Sequence, residues 1–291
     1  MSRMQTCGRS TRARFPAERR GWTALAGATA AGAAILATAA ALPARGAGDA
    51  TDRRQAAPAG DTTAAPRVQG WPFPDRESFE YAVRLGRLQL GRGEIVSRPE
   101  SSTDGPDVHR VTLTIDVGVA FAEIHDRHVS WLATDPLRTL RLRKRYRELG
   151  REKGGRWRLD HEAGVSVAEG EDDGSRSPMP EAALDGLGLL YLLRAMPLEP
   201  GDTVRLDRHF QPDRNPVVFR AVGRERIRVP AGRFRTVVVE PVIPALDVFG
   251  EDRDARIWLS DDARRLIVRV ESTTRVGPLQ MHLREYSAGG R

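Results

Sequence analysis

The chain has 291 residues, of which 40% are hydrophobic and 29% are charged, as is typical of globular proteins. Its formal net charge is +7, but residues 1–47 contain seven arginines and one glutamate, so the rest of the chain is nearly neutral. This distribution argues against a nucleic-acid-binding domain. The single cysteine, Cys7, precedes residue 48, so residues 48–291 can form no disulfide and no cysteine-ligated metal site.

The N-terminal segment has the pattern of an export signal. Residues 1–20 are rich in arginine, the run from Trp22 to Ala44 is uncharged, and small residues surround Ala44 and Ala47. The uncharged run is also long enough to span a bilayer. We therefore predict that residues 1–47 are a cleaved signal peptide or, alternatively, a membrane anchor formed by residues 22–44. Either interpretation places the remaining chain outside the cytoplasm, in the periplasm or cell envelope.

Residues 48–70 contain no large apolar residue except Val68, so they cannot bury enough surface to offset the entropy cost of ordering. We predict a disordered linker there, followed by one β-rich domain at residues 71–288.

In that domain apolar residues alternate with polar ones, most regularly from Val111 to Phe121, which predicts β-strands. Gly86 shifts the alternation of the first strand and predicts a bulge or corner. Short turns between successive strands favour antiparallel pairing. Further strands are predicted at 122–132, 138–149, 156–161, 203–210, 216–228, 233–243, 253–260, 264–275 and 279–286.

One segment has helical rather than strand periodicity. Apolar residues recur at helical spacing between residues 181 and 195, with Glu181 in the first turn and Pro197 as a stop signal. Residues 169–178 before it form a predicted charged loop. The predicted fold class is mainly β: an antiparallel curved sheet or partly open β-barrel with one packed helix at about 181–195.

The order of motifs from Phe79 to Tyr286 resembles domain-of-unknown-function family 3108. The resemblance implies an exported, β-rich, curved-sheet protein of bacterial envelopes and brings no catalytic residues. The chain departs from the family where Leu266-Ile267-Val268 replaces a Leu-Pro-Val step. The motifs that carry the resemblance are Phe79-Glu80-Tyr81-x-Val83, Asp185, Leu189-Leu190-Tyr191-Leu192-Leu193-Arg194, Gly201, Val222-x-Arg224-Glu225, Val229-Pro230-Ala231-Gly232-x-Phe234-x-Thr236, Trp258-Leu259-Ser260-Asp261-Asp262-x-Arg264-Arg265, Gly277-x-Leu279 and Tyr286.

Two groups of residues are candidates for structural or ligand contacts, and a third group is considered as a source of metal ligands. Arg194 ends the apolar helix that also carries Tyr191, and if buried it needs an acid, for which Asp185 or Glu225 is the expected partner. Trp258, Asp262 and Arg265 could form a carboxylate–guanidinium site, although a hairpin turn is the simpler interpretation. The third group comprises three acid–histidine pairs at i, i+2 spacing, which place both side chains on one face of a strand: Glu123–His125, Asp126–His128 and Asp207–His209. The sequence predicts no catalytic residue, metal site or cofactor.

Residues 138–158 contain ten basic and two acidic residues. Such a hairpin could meet an anionic envelope surface, or it could be a solvated face.

The leading functional hypothesis is an exported, non-catalytic protein that binds a hydrophobic, lipid-like ligand or an envelope partner, since a curved sheet around one helix can leave an apolar groove. The alternatives are an envelope assembly scaffold and a hydrolase acting on envelope glycan or lipid. A concave face fully filled by side chains would contradict the ligand-carrier hypothesis.

Overall fold

The computed structural model describes residues 61–62, 70–100, 106–119, 122–148, 151–170, 174–241, 255–274 and 277–289. These residues form fifteen strands, one α-helix and a short 3-10 helix at Pro212–Arg214. The helix is α1 (Gly186–Ala195). The strands are β1 (Asp61–Thr62), β2 (Arg76–Leu85), β3 (Leu88–Glu100), β4 (Val108–Val119), β5 (Ala122–Thr134), β6 (Leu137–Glu148), β7 (Arg151–Asp160), β8 (Val165–Glu169), β9 (Arg176–Pro178), β10 (Thr203–Leu206), β11 (Val217–Val229), β12 (Gly232–Pro241), β13 (Ala255–Ser260), β14 (Ile267–Thr274) and β15 (Gly277–Gly289).

All fifteen strands belong to one sheet, in the order β1-β10-β11-β12-β13-β14-β15-β2-β3-β4-β5-β6-β7-β8-β9. β1 pairs with β10 in parallel, and every other neighbouring pair is antiparallel. Two runs of consecutive strands, β2 to β9 and β10 to β15, are joined where β15 pairs with β2. The predicted fold class, an antiparallel mainly β sheet with one packed helix, is confirmed.

Alternation of apolar and polar residues explains which face of each strand is buried. On β4 the side chains of Val111, Leu113 and Ile115 are buried, while Thr112 and Thr114 between them are half-buried on the other face. Burying one such apolar side chain contributes about 1.5–3 kcal/mol, so one face of each strand is strongly selected. The last residue of the predicted run, Phe121, lies outside the described residues.

The predicted bulge or corner at Gly86 is wrong. Leu85 lies opposite Leu88, so Gly86 is the first residue of a two-residue hairpin turn between β2 and β3. Its φ of +57° lies in the left-handed region that glycine adopts without strain, as the first position of such a turn can require. The bulge of this hairpin lies earlier, where the register shifts between Val83 and Arg84.

The helix begins at Gly186, five residues later than predicted, so Glu181 is not in its first turn. Ala182 has a φ of +49°, which is incompatible with a right-handed helix, and Leu184 forms a bridge with His209. From Gly186 to Arg194 every helical residue is buried. The side chains of α1 pack in one cluster with apolar side chains of β2–β4 and β11–β15, so the sheet encloses the helix.

The predicted signal or anchor at residues 1–47 lies outside the described residues, as does the predicted linker apart from Asp61, Thr62 and Gly70. No described helix is both long enough and apolar enough to cross a membrane.

Candidate functional site

Asp185 connects the start of α1 to β5 and β6. Its Oδ1 accepts hydrogen bonds from the backbone N–H of Gly188 (3.0 Å) and from Thr139 Oγ1 (2.8 Å). Its Oδ2 accepts a hydrogen bond from Ser130 Oγ. The backbone N–H of Asp185 also donates to Thr139 Oγ1 at 3.0 Å. Asp185 is therefore a helix N-cap whose carboxylate also holds two strands of the sheet.

His128 completes this buried polar cluster. Its Nε2 lies 2.8 Å from Asp185 Oδ2, and both side chains are almost fully buried. Burial alone would raise the pKa of Asp185, but the contacts with His128, Ser130 and Thr139 outweigh it and hold that pKa well below its usual range. Burial lowers the pKa of His128, against the effect of Asp185. A neutral His128 therefore faces an ionised Asp185 at neutral pH.

The serine, histidine and aspartate in this cluster do not have the connectivity of a hydrolytic triad. In a triad the histidine lies between the serine and the aspartate and accepts the serine proton. Here His128 Nε2 and Ser130 Oγ both approach the same oxygen, Asp185 Oδ2. Since the carboxylate is fully buried under the helix, we interpret the cluster as a structural cap.

Arg194 forms a second buried polar centre at the other end of α1. Its Nη1 and Nη2 donate to Glu77 Oε1 and Oε2 at 2.6 and 3.0 Å, and neither side chain is exposed. Its Nε donates to the carbonyl of Arg265 at 3.0 Å. The expected partners, Asp185 and Glu225, are wrong. Asp185 is at the opposite end of the helix, and Glu225 accepts instead from Trp258 Nε1.

Aromatic rings surround the Arg194 guanidinium, which lies 4.1 Å from the ring centroid of Phe73, 5.0 Å from that of Phe79 and 4.8 Å from that of Tyr191. Trp71 stacks on Tyr191 with a centroid separation of 5.1 Å. Cation–π contacts of this kind are strongest where water is excluded. The first residues of the domain therefore close over the end of the helix.

Glu77 was not predicted as a site residue, although its position in the sequence carries a signal. Glu77 is in phase with Phe79, Tyr81 and Val83 on β2, so its carboxylate faces the core with them. An acid on the apolar face of a strand requires a buried cation, and Arg194 is the only lysine or arginine among the buried side chains that the structure describes.

Trp258, Asp262 and Arg265 lie at or near the connection between β13 and β14. Trp258 Nε1 donates to Glu225 Oε2 at 2.9 Å, and the Arg269 guanidinium lies 4.5 Å from its ring centroid. Asp262 accepts from Ser260 Oγ and from Arg264 within the turn. Arg265 has a φ of +46° and presents its carbonyl to Arg194. The three predicted residues thus serve the turn and its neighbours.

The acid–histidine pairs do not combine into one site, because His125 is half-buried on the outer face of β5 whereas His128 and His209 are both buried. On the outer face, His125 Nδ1 lies 2.7 Å from Asp116 Oδ1 and its Nε2 lies 3.7 Å from Glu123 Oε2, beside a shallow depression of about 430 Å³. On the inner side, His209 Nδ1 accepts the backbone N–H of Gln211 at 3.1 Å. Among the described residues no group of three or more His, Cys, Asp or Glu could hold a metal ion.

Comparison with known proteins assigns the chain to a family. A family model described as "Protein of unknown function (DUF3108)" matches residues 80–284. The chain belongs to the DUF3108 family. The resemblance identified from the motif order is therefore confirmed, and the family description names no activity. No curated protein matches this DUF3108 chain.

A solved structure similar to this DUF3108 protein is a beta-barrel-like protein of the domain of unknown function DUF1849 from Brucella abortus. Its sequence identity is 9% and its TM-score is 0.47, and the match covers 75% of the DUF3108 chain and 100% of the other.

The inner face of this DUF3108 sheet also carries the half-buried amine of Lys144. Burial lowers the pKa of Lys144 on β6 to about 8, in spite of the nearby carboxylate of Asp185.

The predicted site residues separate into a cap at Asp185, an ion pair at Arg194 and a turn at Asp262. All three hold the fold together.

Proposed function

We propose that this DUF3108 domain is a non-catalytic binding protein of the cell envelope that engages an envelope partner through the outer face of its sheet. The observation that carries the proposal is the position of α1. Leu187, Leu189 and Leu192 have no exposed surface although they point in different directions around the helix. A helix surrounded by sheet in this way leaves the outer face as the accessible binding surface.

A carrier of a hydrophobic ligand is the alternative. A carrier needs an apolar groove that is open to a ligand of several hundred Å³. In the part of the chain that the structure describes, apolar side chains from both runs of strands pack against α1 in one cluster. This packing favours an outer-face partner over an enclosed lipid-like ligand.

The location is part of the proposal. The arginine-rich start of the chain and the uncharged run from Trp22 to Ala44 support export from the cytoplasm. A binding protein that acts on envelope components would have to be on that side of the membrane.

Mass spectrometry of an organic extract tests the proposal. The exported protein would be purified from the envelope fraction and washed at high ionic strength, because salt releases lipid held only by surface charge. We expect no stoichiometric lipid in the extract. A stoichiometric lipid that survives the wash would replace the proposal with the carrier alternative. Recovery of the protein only from the cytoplasm would contradict the proposed location.

A further inference from the structure

The outer faces of β5, β6 and β7 form a continuous basic surface. On β6 the outward residues alternate with inward Leu142, Lys144 and Tyr146, and all of them are arginines. Neighbouring outward positions on β5 and β7 extend the surface sideways. We call this surface the arginine face, and its seven members are all exposed: Arg127, Arg141, Arg143, Arg145, Arg147, Arg156 and Arg158.

Strand register places like charges directly opposite each other on the arginine face. Arg141 lies opposite Arg158, and Arg143 lies opposite Arg156. Arg127 on β5 lies opposite Arg145. Strands are about 4.8 Å apart and alternate residues on a strand are about 7 Å apart, so these charges form a dense array. Like charges directly opposite one another destabilise a sheet, so an anion that binds between them would relieve this repulsion.

Carboxylates of the described residues form ion pairs with three of the seven arginines in this array. Arg141 meets Glu100 at 3.0 Å, Arg145 meets Glu152 at 2.9 Å and Arg158 meets Asp160 at 3.5 Å. These pairs are exposed, and such pairs contribute little to stability.

The remaining members, Arg127, Arg143, Arg147 and Arg156, form no ion pair with any carboxylate that the structure describes. Strand register still places Glu152 opposite Arg147 and Glu169 opposite Arg156, so Arg127 and Arg143 are the members with neither a paired nor an opposite carboxylate among the described residues. The arginine face thus keeps an excess of positive charge that an external anion can meet.

The shape of the surface indicates which anion. The array extends over three strands and about 20 Å along β6, so it can contact several anionic groups at once. Each guanidinium can bind a phosphate through two parallel hydrogen bonds. Trp131 is on the same face, half-buried, with the Arg141 guanidinium 4.1 Å from its ring centroid. Tryptophan and arginine together are typical of residues at a membrane interface.

We propose that the arginine face docks on a bilayer surface containing anionic phospholipid. This inference rests on the proposed function and names the partner that the outer face engages. The chain before the domain supports a membrane partner, because residues 45–70 follow the uncharged run. If that run anchors the chain, the sixteen residues 45–60 between it and β1 reach at most about 55 Å even when fully extended, which keeps the domain close to the bilayer.

Vesicle cosedimentation of the full-length protein tests the inference. One vesicle preparation contains phosphatidylcholine alone, and the other contains phosphatidylcholine and phosphatidylglycerol in equal parts. We expect tighter binding to the anionic vesicles, and we expect salt to reduce that preference. In the triple variant Arg143→Gln, Arg147→Gln, Arg156→Gln the preference should fall about a hundredfold. Each arginine near an anionic surface contributes about 1 kcal/mol, and 1.4 kcal/mol corresponds to tenfold.

The β11–β12 hairpin offers a matched control. Its exposed arginines are also opposed across the strands, Arg226 opposite Arg235 and Arg228 opposite Arg233. The triple variant Arg226→Gln, Arg228→Gln, Arg233→Gln removes the same net charge and should keep most of the preference. Equal losses in the two triple variants would show that only net charge matters and would overturn the inference.

Three further outcomes would overturn the docking inference. They are equal binding to both vesicle types, unchanged binding by the arginine-face variant, and binding of soluble polyphosphate without binding of anionic vesicles. None of them touches the proposed envelope location or the preference for a partner over an enclosed ligand, which the extraction experiment tests separately. Circular dichroism melting of the arginine-face variant provides the folding check, and we expect its Tm to be unchanged or higher because the opposed pair Arg143 and Arg156 is relieved.

Discussion

Arg194 in the last turn of α1 and Glu77 near the start of β2 form a two-hydrogen-bond ion pair with both side chains fully buried. The guanidinium also donates to the backbone carbonyl of Arg265. Since desolvation of two charges is costly, the pair is tolerated only because each charge is fully hydrogen-bonded. The two residues are 117 positions apart in sequence, so the pair fixes the helix relative to a distant strand.

Removing one partner of this pair should be far worse than removing both. We expect Glu77→Gln to lower the free energy of unfolding by about 3–5 kcal/mol, because it leaves the Arg194 charge buried and unpaired. The double variant Glu77→Leu, Arg194→Met serves as the control, and it should recover much of that loss. Urea denaturation of the single and double variants measures both values. A Glu77→Gln variant as stable as the wild type would contradict the structural role of the pair.

The carboxylate of Asp185 should matter both as a helix cap and as an acceptor for the strands. Asp185→Ala removes the cap, worth about 1 kcal/mol, and leaves buried Ser130 and Thr139 hydroxyls short of an acceptor, at about 1–3 kcal/mol. Asp185→Asn keeps an oxygen that can cap the helix and should cost less. Denaturant midpoints of the two variants provide the comparison. Equal losses would show that the cap geometry contributes nothing.

His209 should make stability depend on pH in mildly acidic solution. Burial, followed by the charges of Arg214 and Lys144, lowers the pKa of His209 to about 4, whereas an unfolded histidine has a pKa of about 6.5. Between these two values the unfolded chain binds a proton that the folded chain does not. The free energy of unfolding therefore falls as pH decreases from about 6.5 to about 4.

The variant His209→Asn isolates this contribution, because its side-chain oxygen can still accept the Gln211 N–H. Its free energy of unfolding should fall less steeply with decreasing pH than that of the wild type, by about 1.4 kcal/mol per pH unit at most. Urea denaturation at a series of pH values compares the two slopes. If the free energy of unfolding of the variant and of the wild type falls equally with pH, protonation of His209 does not cause the pH dependence.

A helix-favouring substitution in α1 should be harmful at one position. A Cβ at residue 188 would lie 2.8 Å from Leu184 Cδ2 and 3.1 Å from both Asp185 Oδ1 and Thr139 Oγ1. Gly188→Ala should therefore destabilise the protein by about 1–3 kcal/mol, although alanine is favoured over glycine in helices by about 1 kcal/mol.

Gly223→Ala on β11 is the matched control for Gly188→Ala, since a Cβ there meets nothing within 4 Å. It should change the thermal midpoint little. A stabilised Gly188→Ala variant would show that the start of α1 can move away from the sheet.

Local chemistry made most of the fold predictable. The alternation around Val111, Leu113 and Ile115 indicated a strand because burial acts on every second residue. The apolar segment that ends at Arg194 indicated the helix for the corresponding reason. The start of that helix was misplaced because the left-handed Ala182 and the bridge of Leu184 to His209 depend on tertiary contacts.

The polar centres were less predictable because their partners are distant in sequence. Asp185 at the start of α1 meets Ser130 and Thr139 on two distant strands, and no spacing rule connects them. Periodicity can show that Glu77 faces the core, but only the sheet order shows that Arg194 reaches it. The arginine alternation on β6 was visible in the sequence, whereas the opposed pairs depend on strand register.

The pairing of the last strand with the first long one has a consequence for how the chain can be assembled. Gly289 lies opposite Arg76, so the described end of the chain is beside the entry to the domain. Until β15 has been delivered, β2 and β14 each present an uncovered row of backbone N–H and C=O groups. If the chain folds as it emerges from its amino end, the two runs of strands can pair only after the thirteen residues of β15 have emerged. Truncation within that strand would leave both halves with an edge open to other chains.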